Sequence, residues 1–188
     1  MADTRGALAG AMISGIVGVI WTEWGASGVT GAPAGAIRVT GVVLGLAIVI
    51  LSARLWRSAS RARGPASDAG TRSRSMFSSP TYLLVVAIEV AAIAGGNALL
   101  TATGHGHYVI AWVATVVGLH LVALGRLFHA GLYRIGAALV AAGIAGATVG
   151  FAAAGVDAIT ATSGLLAAAS LFVAGGWSVA TARPAARG

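Results

Sequence analysis

The chain has 188 residues, of which 57% are hydrophobic and 9% are charged, and its mean hydropathy is +0.89. A water-soluble domain carries about 25% charged residues, so this composition excludes an ordinary soluble fold. The net charge is +7 and all 12 basic residues are arginines, but they lie in short segments between apolar runs. We therefore predict no nucleic-acid binding. The absence of cysteine excludes disulfides, thiolate metal sites and cysteine nucleophiles.

Six apolar runs are long enough to cross a bilayer as helices, which takes about 20 residues each. They cover residues 7–24, 36–56, 81–102, 108–128, 134–153 and 158–180. The sequence therefore predicts an all-α membrane protein in which residues 1–188 form one transmembrane domain, a bundle of six helices. The first run could instead be a secretory signal peptide, but no small-residue cleavage site directly follows it, so we expect a retained span.

The arginines predict the orientation of this bundle. The longest break between spans, residues 57–80, is rich in arginine, serine and glycine, and by the positive-inside rule it is a basic cytoplasmic loop. Six alternating spans then place both termini inside, and Arg38 is the one arginine left outside. Since the all-arginine, alanine-rich and glycine-rich composition is typical of GC-rich bacteria, we predict a multi-pass protein of the bacterial inner membrane.

A weak internal similarity links spans two and four. The segment GLAIVIL (45–51) resembles GLHLVAL (118–124), and each is soon followed by arginine, leucine and an aromatic residue. One interpretation is a fold of three repeated helical hairpins, and the alternative is a chance match between low-complexity apolar sequences.

Small residues at four-residue spacing let membrane helices approach closely. Gly41 with Gly45 and Gly146 with Gly150 have this spacing, and we expect helix contacts at both pairs. The alternative is that they only reflect a composition rich in glycine and alanine.

Two ionisable residues, Glu89 and His120, lie inside predicted spans, where an unpartnered charge costs several kcal/mol. At a rise of 1.5 Å per residue, each lies about 12 Å from the cytoplasmic end of its span. The loop between these spans is short, so they should pack as an antiparallel hairpin. We therefore predict that the two side chains meet.

The same counting places Asn97 and Trp112 at matching depth, about 24 Å from the cytoplasmic side. Two interpretations of these residues stay open. Glu89 and His120 could be a polar clasp between helices, worth about 1 kcal/mol per hydrogen bond, or an acid–base pair poised for proton transfer. Since a clasp needs only serine, threonine or asparagine, the cost of intramembrane charge favours a functional pair.

The other polar residues give weaker indications of a functional site. His105 and His107 form an H-x-H in the outer loop, but two ligands without a third make a poor metal site. Glu23 lies at an outer span end, and we expect it to pair with Arg38. The sequence contains no phosphate-binding loop, dinucleotide fingerprint, H-E-x-x-H or G-x-S-x-G motif, so we predict no metal and no cofactor.

The segments EVAAIAGGN (89–97) and GLH (118–120) resemble a pattern of small multi-pass proteins of actinobacterial type, a group without an assigned function. As a small bundle with isolated carboxylates and aromatic residues, the chain is also loosely similar to the integral membrane terpene cyclases. In that family an intramembrane acid protonates an epoxide or alkene, and aromatic faces stabilise the resulting cation. The similarity implies Glu89 as the acid, with Trp112 and Trp21 as rings that face the cation.

Three functions are compatible with these observations. The first is a membrane-embedded enzyme acting on a lipophilic, isoprenoid or lipid-like molecule, with Glu89 and His120 as catalytic residues and Asn97, Trp112 and Trp21 as substrate-binding residues. The second is a proton-coupled carrier or small channel, working as a homo-oligomer. The third is a non-catalytic scaffold whose basic loop binds anionic lipid or a partner protein.

Overall fold

The computed structural model of the chain describes residues 4–62, 80–127, 130–152 and 155–182. Within these ranges six α-helices follow one another, with a single 3-10 turn at Gly106–Tyr108 before the fourth. Their bounds are α1 Thr4–Ala26, α2 Ala32–Ala62, α3 Pro80–Ala102, α4 Val109–Leu127, α5 Ala130–Phe151 and α6 Gly155–Thr181.

All six helices are long and apolar enough to cross a membrane. A bilayer interior offers no hydrogen-bond partners, so a spanning backbone must satisfy its own polar groups, and an α-helix does this within one segment. The predicted all-α bundle of six helices is confirmed, and the six helices suggest a multi-pass membrane protein. Each helix covers nearly the whole predicted span; α4 lies within its span, and the other five helices extend theirs at one end or both.

The largest boundary difference concerns the basic loop, which was predicted to begin at residue 57. Helix α2 continues to Ala62, so residues 57–62 are helical and that boundary is wrong. Alanine and arginine are good helix formers, and this stretch contains no proline or glycine. Residues 63–79 of the predicted loop lie outside the described part of the chain.

Helix α6 lies at the centre of the bundle, where it contacts α1, α2, α4 and α5. The order of neighbours across the molecule is α2, α1, α6, α5, α4 and α3. Helices α2 and α3 therefore occupy opposite edges. In the described residues α2 packs against both α1 and α6, whereas α3 contacts only α4 and the 3-10 turn.

Glycines allow the central helices to approach closely. A methyl group on Gly136 of α5 would lie 2.6 Å from the carbonyl oxygen of Gly118 in α4. One on Gly45 of α2 would lie 2.8 Å from that of Gly15 in α1. Both distances are shorter than van der Waals contact, so an alanine at either position would force the helices apart.

The glycine pairs predicted from their spacing do lie at helix contacts. Gly41 and Gly45 both face α1, and Gly146 faces Ser163 of α6. Gly150 faces the ring of Tyr108 at the start of α4.

The main apolar core lies between α1, α4, α5 and α6. Its members share near-complete burial and include Trp21, Ala114, Leu139, Ile159 and Leu171. A packed interior of this kind holds the four helices in one arrangement. Helix α3 contributes none of its buried residues, and Ile93 of α3 packs against it from one side.

Candidate functional site

The candidate site lies between α3 and α4, which form a hairpin. Helix α3 ends at a turn in which Gly104 has φ +76°, a left-handed conformation that favours glycine. In this turn the backbone N–H of His105 donates to the carbonyl of Leu100 at 2.7 Å. The chain thereby reverses within a few residues, and α4 lies along one face of α3.

Glu89 and His120 meet between these two helices. The distance from Glu89 Oε2 to His120 Nδ1 is 3.2 Å, and the side chains are 18% and 10% exposed, respectively. The contact is as short as an ion pair, but its angles are not those of a hydrogen bond, and His120 Nδ1 has no other partner in the described residues. The predicted meeting of the two residues is confirmed.

Trp112 makes the second polar link between α3 and α4. Its indole Nε1–H donates to the carbonyl oxygen of Ala92 at 3.1 Å. The ring lies where a side chain on Gly96 would be, since a methyl group there would overlap the indole. Gly96 thus makes room for the ring. The indole hydrogen bond links α4 to α3 at Ala92, which lies about one helical turn from Glu89 along α3.

Asn97 lies on α3 next to the glycine that accommodates Trp112. Its Oδ1 is buried and has no hydrogen-bond partner in the described residues, while the indole N–H binds the Ala92 carbonyl. The two residues predicted to share a depth are therefore close along the hairpin without a direct bond. A buried acceptor without a partner costs free energy.

Trp21 lies elsewhere. It is 5% exposed within the apolar core, and its ring stacks on that of Trp24 at 5.5 Å. It belongs to α1, which shares no contact with α3 in the described residues. The structure therefore does not bring Trp21 to Glu89 and His120. From sequence alone, a tryptophan near the end of a span is expected to be either a membrane-interface residue or part of a site. The packing of the helices shows that Trp21 is instead a core residue.

An apolar groove of about 420 Å³ opens beside the loop end of the α3–α4 hairpin, between α4, α5 and the 3-10 turn. Three aromatic rings line it, together with aliphatic side chains and one histidine. These residues are Leu100, His105, Tyr108, Ala111, Trp112, Thr115, Gly143, Ile144, Ala147 and Phe151. Trp112 is the residue shared by the groove and the α3–α4 interface.

Sequence reasoning missed two parts of this arrangement, Gly96 and the carbonyl of Ala92. The sequence does contain a signal for Gly96. The two glycines at 95 and 96 directly precede Asn97, which has the same predicted depth as Trp112. No sequence signal marks Ala92, since any residue supplies a carbonyl.

The H-x-H of the outer loop has its two rings 6.0 Å apart. His105 Nδ1 lies 3.2 Å from the hydroxyl of Thr103, and the ring of His107 packs on Tyr108 at 4.3 Å. Among the described residues no group of three or more candidate ligands could hold a metal ion. The other expected ion pair is present at this side of the bundle, with Arg38 Nε 3.3 Å from Glu23 Oε2.

A carboxyl group and an imidazole in contact can pass a proton between them and to a third molecule. No protein-family model, curated protein or solved structure matches the chain. The chemistry of the α3–α4 hairpin is therefore the main guide to function.

Proposed function

We propose that the chain is a membrane-embedded acid–base enzyme that acts on a lipophilic, isoprenoid or lipid-like substrate. The observation that carries this proposal is the 3.2 Å contact between Glu89 Oε2 and His120 Nδ1. An acid and a base placed together in apolar surroundings can act on a substrate without competition from bulk water.

The position of α3 supports a substrate that comes from the bilayer. This helix has no fully buried residue, and its large apolar side chains, such as Leu84, Ile88 and Val90, are 60 or 61% exposed. Because α3 lies at the edge of the bundle, a molecule dissolved in the lipid reaches the Glu89–His120 pair by passing one helix.

The groove supports the same substrate class. It offers aromatic and aliphatic contacts in the outer half of the membrane, and its innermost residue on α4, Thr115, lies about 7 Å along the helix axis from His120. We propose that the apolar body of the substrate lies in the groove, with Asn97 and Trp112 beside it.

The simplest reaction is an isomerisation. The Glu89 carboxyl group donates its proton to one carbon of a double bond, which leaves a positive charge on the other carbon. His120 then removes a proton from the next carbon, the one adjacent to that cation. The double bond moves and the substrate keeps its composition. Proton transfer from His120 back to Glu89, with exchange of these protons with water between turnovers, restores the starting state, so no co-reactant is consumed and deuterium from D₂O enters the product.

A proton carrier has less support. A carrier places its proton relay at the interface between moving halves of the molecule, near the middle of the bundle. Glu89 and His120 lie instead between the edge helix α3 and α4, the one helix that contacts α3 in the described residues. We therefore rank the carrier second and the scaffold third.

The test is deuterium exchange into lipids. Purified protein in D₂O is incubated with a mixture of polyprenols, squalene, menaquinone and bacterial polar lipids, and the products are analysed by mass spectrometry. We expect wild type to introduce deuterium into at least one compound, and Glu89→Gln to reduce this at least 100-fold, as is usual when a general acid is lost.

Glu23→Gln is the matched control, because it removes a carboxylate that pairs with Arg38 far from the site, and it should leave exchange unchanged. If wild type exchanges nothing, or if Glu89→Gln exchanges as fast as wild type, the assignment is wrong. Glu89-dependent proton flux into reconstituted vesicles, without lipid labelling, would support the carrier instead.

A further inference from the structure

The end of α2 carries a second feature, which the proposed reaction does not use. Arg54, Arg57 and Arg61 follow one another at spacings of three and four residues, so they lie on one face of the helix within about 60° of arc. All three are exposed. The residues on the opposite side, among them Leu55, Trp56 and Ala59, are half-buried against the bundle. We call the three exposed arginines the α2 arginine face.

No acidic side chain in the described residues neutralises the α2 arginine face. Of the chain's five acidic residues, three are described. Glu23 pairs with Arg38, Glu89 contacts His120, and Asp157 lies in the first turn of α6, at the other end of the bundle. The remaining two, Asp3 and Asp68, lie outside the described ranges.

The depth of the three arginines identifies the anion that faces them. Arg38 forms an ion pair with Glu23 near the start of α2, and we infer that this charged pair lies at one membrane interface, where charge costs least. At 1.5 Å per residue, Arg54, Arg57 and Arg61 lie about 24, 28 and 34 Å further along the helix. The hydrocarbon layer is about 30 Å thick, so Arg57 and Arg61 lie near the phosphates of the opposite leaflet. Arg54 lies about 6 Å short of them and reaches them by extending its long side chain towards the headgroups.

We propose that the α2 arginine face binds the headgroup of an anionic phospholipid. Guanidinium groups donate paired hydrogen bonds to phosphate oxygens, a geometry that a lysine cannot reproduce. Three arginines at phosphate depth favour a lipid with a net negative charge over a zwitterionic one. A soluble nucleic acid or acidic peptide would have to enter the headgroup layer to make the same contacts, which is why the lipid is the partner that fits.

The test compares two lipids with the same acyl chains, phosphatidylglycerol and phosphatidylcholine. Each is titrated onto detergent-purified protein, and bound lipid is counted by native mass spectrometry. We expect the wild type to prefer phosphatidylglycerol. The variant R57Q/R61Q should weaken its binding roughly 30-fold, since each arginine near a membrane surface contributes about five-fold.

The matched control is R126Q/R134Q, which removes the same charge from the arginines at the end of α4 and the start of α5. These arginines belong to α4 and α5, neither of which contacts α2 in the described residues, so they lie away from a headgroup held by the α2 arginine face. Phosphatidylglycerol binding at that face should therefore stay within about three-fold of wild type. Equal binding of the two lipids by wild type, or equal losses in both double variants, would overturn the proposal, because the effect would then be absent or due to net charge alone.

A competition with millimolar glycerol phosphate separates a lipid site from a site for free phosphate. We expect no displacement of phosphatidylglycerol, because the lipid is also held by its chains against the apolar part of α2. Displacement by glycerol phosphate would mean that the face recognises a free anion, which would contradict the lipid assignment.

Discussion

Helices α1 and α6 meet through their backbones, whereas α3 meets α4 through polar side chains. A methyl group on Gly164 would lie 2.6 Å from the backbone nitrogen of Gly25 and 3.2 Å from the carbonyl oxygen of Trp21. At the hairpin the links are the contact of Glu89 with His120 and the indole bond of Trp112.

The two interfaces also differ in what surrounds them. The α1–α6 contact is continuous with the apolar core, and α3 has no buried residue. Helix packing in lipid depends on close van der Waals contact, and interhelical hydrogen bonds add only about 1 kcal/mol each. The bundle is therefore held together by close packing of its central helices. Helix α3 lies at the edge and is held by a few polar groups, two of which are the proposed catalytic residues.

The largest expected effect comes from filling the central glycine contact. Gly164→Ala should lower the free energy of unfolding by about 2–3 kcal/mol, because the rigid backbone of α1 cannot move away from the new methyl group. Unfolding by sodium dodecyl sulfate in mixed micelles measures this change. The control is Gly176→Ala in the same helix, where nothing lies within 4 Å. Equal losses in the two variants would mean that the close α1–α6 contact is unimportant.

An intermediate effect is expected from Gly96→Ala at the hairpin. The methyl group would displace the indole of Trp112 and break its bond to Ala92, at a cost of about 1–2 kcal/mol. The loss is smaller than at Gly164 because α3, at the edge of the bundle, can shift outward. It should also reduce deuterium incorporation, since the shift would separate Glu89 from His120.

Gly95→Ala is the control for that variant, because the adjacent glycine faces open space, with nothing within 4 Å. It should retain the stability and activity of wild type. The interpretation would fail if the two alanines behaved alike.

The smallest effect is expected at the outer ion pair. Glu23 and Arg38 are each 47% exposed, and solvent screens such pairs, so replacing both by glutamine should change the free energy of unfolding by at most about 0.5 kcal/mol. The same detergent titration measures it. A loss as large as that of Gly164→Ala would show that a polar contact at the bundle surface can matter as much as backbone packing.

Much of the hairpin could be predicted from sequence because helix geometry is regular. A fixed rise per residue and a short connection are enough to place Glu89 beside His120, and the same logic pairs Glu23 with Arg38. Counting residues along a helix does not predict a contact that depends on the shape of the side chains. Trp112 has the depth of Asn97, but its indole N–H binds the carbonyl of Ala92, because the missing side chain of Gly96 leaves space there.

Hydropathy and residue spacing are enough to predict the six spans, the glycine pairs available for close contact and the two ionisable residues within the predicted spans. These are local properties, and the bilayer imposes them on each segment independently. The central position of α6, the burial of Trp21 in the core and the edge position of α3 are seen in the packed bundle alone. Which apolar faces meet depends on the shapes of helices far apart in the chain, and in lipid one apolar face is nearly as soluble as another.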